Sequence, residues 1–106
     1  PVPESTIQLR AVGGYMDGRV FPIDRNAITF GRNPSSTIRY PADTKGVSRI
    51  HCKLFWKNGT LMLMDMGSSY GTYIKGRGRL NREQAVAVKS GDVFYIGEKN
   101  NGFLIK

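Results

Sequence analysis

Short apolar bursts broken by Gly, Asn and Asp predict an all-β domain, a sandwich or a barrel of roughly ten or eleven short strands. Turn dipeptides recur between the bursts, Asp17-Gly18 and Asn58-Gly59 among them, and Asn-Gly is the strongest short hairpin signal a sequence carries. Helical periodicity is nearly absent. At 106 residues and 40% apolar, with five Phe, five Tyr and one Trp, the chain can close one core without metals or disulfides.

Ile7, Leu9 and Ala11 alternate with polar residues, residues 19–23 form a second run after Asp17-Gly18, and residues 28–30 make a third; the three read as an opening meander. Ile50, Cys52, Leu54 and Trp56 share one face of a strand that turns at Asn58-Gly59 into residues 61–64. Residues 73–75, 85–88, 93–96 and 103–105 are further β-rich runs, the last two joined by a turn at Asn100-Asn101-Gly102. One helical candidate remains, residues 81–87, where Asn81 could cap a turn; it is short and ends in β-branched residues. No repeat, linker or low-complexity segment interrupts the chain.

Sixteen Lys and Arg against eight Asp and Glu leave a net charge of +8, which favours polyanionic partners: phosphopeptides, nucleic acid or an anionic membrane surface. Charge alone does not choose among them. A single cysteine, Cys52, cannot form an internal disulfide and has no neighbours at metal-ligand spacing, so a reducing, cytoplasmic setting is expected. No run approaches the roughly 18 apolar residues of a membrane span, and no secretion signal opens the chain, so no membrane contact is expected of this segment. The start at Pro1 and the end at Lys106 within a strand-like run suggest one domain, residues 1–106, of a longer protein.

Longer polar connections fall at residues 31–36, 44–49 and 67–72, and function in β-sandwiches concentrates on such loops. They hold Gly, Ser or Thr, and two carry Arg. Compact hydroxyls, free backbone N–H groups and guanidinium forks are the parts of a phosphate cradle.

Gly31-Arg32, then Ser48-Arg49-Ile50-His51, then Asp65-Met66-Gly67-Ser68-Ser69-Tyr70-Gly71-Thr72 stand in an order that resembles the forkhead-associated (FHA) family. Each piece alone recurs by chance in many proteins. Together, separated by Trp56-Lys57-Asn58-Gly59, they span nearly the whole chain. The resemblance implies a sandwich of two antiparallel sheets with about eleven short strands, FHA/SMAD-like, whose loops at one end grip phosphothreonine. It implies a non-catalytic module, without cofactor or metal, that recruits proteins phosphorylated on threonine by a Ser/Thr kinase.

Matching positions receive roles one at a time. Arg32 would be the principal phosphate ligand, because guanidinium stays charged and offers two parallel donors. Ser48 would donate its hydroxyl and Arg49 its backbone N–H to the same phosphate. His51 would hold the binding loops through its ring. Ser69 would assist the phosphate or shape the pocket for the threonine methyl; Gly31 and Gly71 would shape the backbone, and Thr72 would pack or bond inside the fold. Asn33, Lys45 and Tyr70 would set peptide preference. Tyr70 departs from the family, which has Asn before Gly-Thr, so the amide that holds the peptide backbone is missing.

Alternatives of other classes are set against this reading. A phospho-independent interaction or oligomerisation domain with a degenerate pocket would also carry Tyr70. Nucleic-acid binding is disfavoured, since the chain has neither an interleaved basic and aromatic run nor a recognition helix. An enzyme is disfavoured for lack of an acid, base and nucleophile set.

Overall fold

The computed structural model describes residues 7–97 and 101–106. Their strands, in chain order, are β1 (Gln8–Val12), β2 (Val20–Pro22), β3 (Ile28–Gly31), β4 (Ile38–Arg39), β5 (Cys52–Lys57), β6 (Thr60–Asp65), β7 (Thr72–Ile74), β8 (Gly78–Arg79), β9 (Val86–Ala87), β10 (Val93–Ile96) and β11 (Gly102–Ile105). Six form one sheet in the order β2-β1-β11-β10-β7-β8, and five form the other in the order β4-β3-β5-β6-β9. The architecture is an all-β sandwich. Among the described residues no helix is long and apolar enough to cross a membrane.

Alternation places most of the apolar residues of the longer strands inward. In β1 Leu9 and Ala11 are buried while Gln8, Arg10 and Val12 are exposed, the period of two that a half-covered sheet demands. At the Asn58-Gly59 turn φ is 50° and 79°, the paired positive values of a turn whose twist matches its flanking strands. This turn fixes the β5–β6 register, with Lys57 opposite Thr60 and Cys52 opposite Asp65. Three rings bridge the sheets: Phe30 of β3 meets Phe94 and Phe103 with centroids 5.7 and 5.2 Å away, and those two stack at 5.5 Å. Such pairs contribute about 0.5–1.5 kcal/mol each beyond the area they bury.

Four expectations are corrected. β1 and β2 pair, but β3 does not continue them as a meander: buried Ile23 and the turn in which the Asn26 N–H donates to Asp24 Oδ1 send the chain across to the other sheet. The sheets are not wholly antiparallel, since β3 and β4 pair in parallel, Phe30 against Ile38. Ile50 is not on the inner face of β5. Pairing begins only at Cys52, so Ile50 lies in the preceding loop with 57% of its surface exposed. Residues 81–87 form no helix: Asn81 spends its amide on Gln84, Arg82 bridges to Asp65, and Val86–Ala87 pair with β6 as β9. Of the turn expected at Asn100-Asn101-Gly102, Asn100 lies outside the described residues and Gly102 opens β11.

Candidate functional site

Three connections, residues 32–37, 40–51 and 66–71, are tied together at one end of the sandwich. The first lies on the second through two backbone bonds, Arg32 N–H to Ser48 O at 3.1 Å and Asn33 N–H to Arg49 O at 2.9 Å. Gly31 permits this approach, because a Cβ there would collide with the Arg49 carbonyl oxygen. The second and third connections meet where Ser69 N–H donates to Ser48 Oγ at 3.0 Å, and again through His51.

His51 is fully buried, and both ring nitrogens are used. Nδ1 accepts from the Ser48 N–H at 3.0 Å; Nε2, which therefore carries the proton, donates to the Gly71 carbonyl at 2.7 Å. The ring is thus a neutral strut between the residue that opens the motif and the turn that closes it. Burial lowers its pKa from the ordinary 6.5; the Gly71 hydrogen bond and the Asp65 charge oppose that shift, and the Arg79 charge reinforces it.

A second buried group shapes the third connection from beneath. Asp65, 1% exposed, accepts from Gly67 N–H at 3.0 Å and Ser68 N–H at 3.0 Å, from Ser68 Oγ at 2.6 Å and from Thr72 Oγ1 at 2.7 Å. Ser68 Oγ also accepts from the Gly71 N–H at 2.9 Å, closing the turn on itself. Gly71 has φ near 88°, a conformation that L side chains rarely adopt. The loop is thereby held by polar groups that face inward, which leaves its outer face free for a ligand.

That outer face gathers uncommitted donors. Arg32 Nε donates to Val47 O at 2.6 Å and Nη1 to Ala42 O at 2.8 Å; a guanidinium has five N–H donors, so three remain, on a fork already oriented. Ser48 Oγ accepts from Ser69 N–H, which leaves the hydroxyl proton free to donate outward. Neither the Arg49 N–H nor the Ser69 hydroxyl has a hydrogen-bond partner among the described residues, and both residues are exposed. Arg32, Ser48, Arg49 and Ser69 therefore belong to one cluster.

The residues expected to set preference are more dispersed in role. Tyr70 stands 50% exposed beside Ser69. Asn33 uses its side-chain oxygen locally, accepting from Ser35 N–H at 2.9 Å and Ser35 Oγ at 2.8 Å, so only its amide N–H groups remain for a ligand. Lys45 is exposed in the second connection. Sequence reasoning passed over Asp65 and Ser68 as builders of the loop; the signal that could have found them is a carboxylate followed three and seven residues later by hydroxyls. It also passed over Arg79 of β8, whose guanidinium lies against Gly71. Among the described residues no group of three or more His, Cys, Asp or Glu could hold a metal ion.

Comparison with known proteins agrees with this arrangement. A family model described as the FHA domain matches residues 28–97, about two-thirds of the chain. A curated relative, the oxoglutarate dehydrogenase inhibitor of Corynebacterium diphtheriae, is 37% identical over 83 residues, 76% of this chain and 52% of the relative. The chain thus spans about half the length of that relative. The solved FHA domain of an Arabidopsis thaliana hypothetical protein superposes with a TM-score of 0.81 at 26% identity, covering 94% of this chain and 83% of the other. The N-terminal FHA domain of S. cerevisiae Rad53p, solved in complex with a phosphothreonine peptide, superposes with a TM-score of 0.76 at 18% identity, covering 93% and 90%. With the family model spanning both the strands and the loops that build the site, the chain belongs to the FHA domain family.

Proposed function

We propose that the loop end of this domain binds peptides carrying phosphothreonine, written by a Ser/Thr kinase, and so recruits phosphorylated partners. The observation that carries this reading is the convergence of the Arg32 fork, the Ser48 hydroxyl, the Arg49 N–H and the Ser69 hydroxyl, all donors and none consumed outward. A phosphate group bearing about −1.5 to −2 charge and three acceptor oxygens is the common group that this set complements. The net charge of +8 favours encounter with it. The Rad53p domain, similar in fold, is known with a phosphothreonine peptide, which supports the same ligand class here. On this reading Asn33, Lys45 and Tyr70 meet the residues that flank the phosphothreonine.

Titration with one peptide in three forms, phosphothreonine, phosphoserine and unphosphorylated, tests the proposal. The expected ranking is phosphothreonine first, with the unphosphorylated form undetectable. Equal binding of all three forms would instead support a phospho-independent interaction surface, a reading favoured by the exposed Tyr70 ring where the family has an amide.

A further inference from the structure

We propose that Arg79 is a second anion contact of the binding surface, which takes a carboxylate or a further phosphate on a residue flanking the phosphothreonine. The inference rests on the phosphothreonine reading above and extends it to the acidic character of the ligand.

β8 pairs with β7, Arg79 opposite Tyr73, and this register carries the Arg79 side chain along the outside of β7 to the closing turn of the third connection. Its Nε lies 2.6 Å, and its Cζ 3.0 Å, from the point where a Cβ on Gly71 would stand. The guanidinium thus lies over the face of Gly71 that a side chain would occupy, and the φ of 88° there already disfavours any other residue. The residue is exposed, and among the described residues its side chain has no hydrogen bond and no ion pair. By contrast Arg77, two residues earlier on the same hairpin, is tied to Asp92 at 3.4 Å. Arg79 is therefore an uncommitted fork lying beside the loop, and its charge acts on the buried ring of His51.

Distance makes the contact reachable. Gly71 is two residues from Ser69, at most about 7.6 Å between Cα atoms, and Ser69 N–H holds the hydroxyl oxygen of Ser48. An extended ligand advances about 3.3 Å per residue, so a peptide anchored by its phosphate at Ser48 and Ser69 brings a neighbouring side chain to Arg79. The loop is also polarised. Glu83 Oε2 lies 3.7 Å from the Cβ point of Gly67, at the other end of the same turn. An acidic group is attracted on the Gly71 side and repelled on the Gly67 side, so the preference is confined to one flank of the phosphothreonine.

The test measures affinities of the whole chain for phosphothreonine peptides in which one flanking position at a time is Gln, Glu or phosphoserine. The proteins compared are wild type, Arg79→Gln, Arg79→Glu and Arg32→Ala. Wild type is expected to prefer Glu over Gln about threefold to fivefold on one flank only, as befits an exposed charge pair, and the preference should shrink as salt is raised. Arg79→Gln should abolish that preference while changing affinity for the all-Gln peptide less than twofold; Arg79→Glu should reverse it. A larger gain with phosphoserine than with Glu identifies a second phosphate as the group recognised, and an equal or smaller gain identifies a carboxylate. If the all-Gln phosphothreonine peptide binds, and Arg32→Ala loses it, but no flank shows an acidic preference or folded Arg79→Gln keeps one, the Arg79 assignment alone is overturned. If that peptide fails to bind wild type, the phosphothreonine reading falls and the Arg79 assignment with it.

Discussion

Ser69 gives its backbone N–H to the Ser48 hydroxyl oxygen at 3.0 Å, so the two serines tie separate connections to each other. Ser48→Ala removes the tie and, under the proposed function, one ligand donor. A hydrogen bond to a charged group contributes about 1.5–3 kcal/mol, so affinity for a phosphothreonine peptide is expected to fall about tenfold or more. Stability should change by less than about 1 kcal/mol, because the exposed Ser69 N–H can turn to water. Calorimetric titration alongside thermal unfolding checks both, and unchanged affinity would remove Ser48 from the site.

His51 makes stability depend on pH. Its folded value lies below the ordinary 6.5, so as pH falls the unfolded state takes up the proton first. The stability contributed by the neutral ring is complete above 6.5 and is lost as pH falls from there through the depressed folded value. Melting temperature should therefore drop as pH is lowered from about 7.5 to about 5.5, and His51→Gln should show a lower but flatter profile. Parallel profiles for the two proteins would contradict the strut assignment. Under the proposed function, phosphopeptide binding is expected to weaken in a nearby range for a separate reason, since the second phosphate ionisation lies near pH 6.

Asp65 offers acceptors to four donors and has no room for another. Asp65→Asn turns one acceptor into a donor facing donors. The expected loss is about 2–4 kcal/mol of stability, measured by urea denaturation. A loss below about 0.5 kcal/mol would mean that the loop does not depend on this carboxylate.

Much of the frame was legible because it rests on local rules. Asn58-Gly59 announced the β5–β6 hairpin, and the alternation of Leu9 with Ala11 announced the inner face of β1. What escaped depends on contacts far apart in the chain. β4 and β8 are two residues each and exist only because Ile38 finds Phe30 and Arg79 finds Tyr73. Ile50 continues the apolar alternation of β5 by type, yet the loop geometry fixed by Ser48 and His51 turns it outward. In the site, Ser68 and Ser69 are adjacent and chemically identical. Only the buried Asp65 decides that one points inward and the other out.

Tyr70 separates two views of peptide preference. If the missing amide is what matters, Tyr70→Asn is expected to tighten phosphothreonine-peptide binding by about 1 kcal/mol, roughly fivefold, with the preference for phosphothreonine unchanged. If the half-exposed ring itself covers a ligand side chain, Tyr70→Asn and Tyr70→Ala both weaken binding. Titration of the three proteins with one peptide distinguishes these outcomes, and weakening in both variants would make Tyr70 a contact in its own right.

Arg32 carries the central claim. Its fork is oriented by Val47 and Ala42, and its backbone N–H donates to the carbonyl of Ser48. Truncating one partner of such a charged pair costs about 2–5 kcal/mol, against about 8 kcal/mol for a whole micromolar interaction. The most direct measurement is calorimetric titration of wild type and Arg32→Ala, both shown to be folded, with one phosphothreonine peptide. Micromolar binding by wild type and none measurable by Arg32→Ala is the predicted result; equal affinity of the two folded proteins would contradict the site.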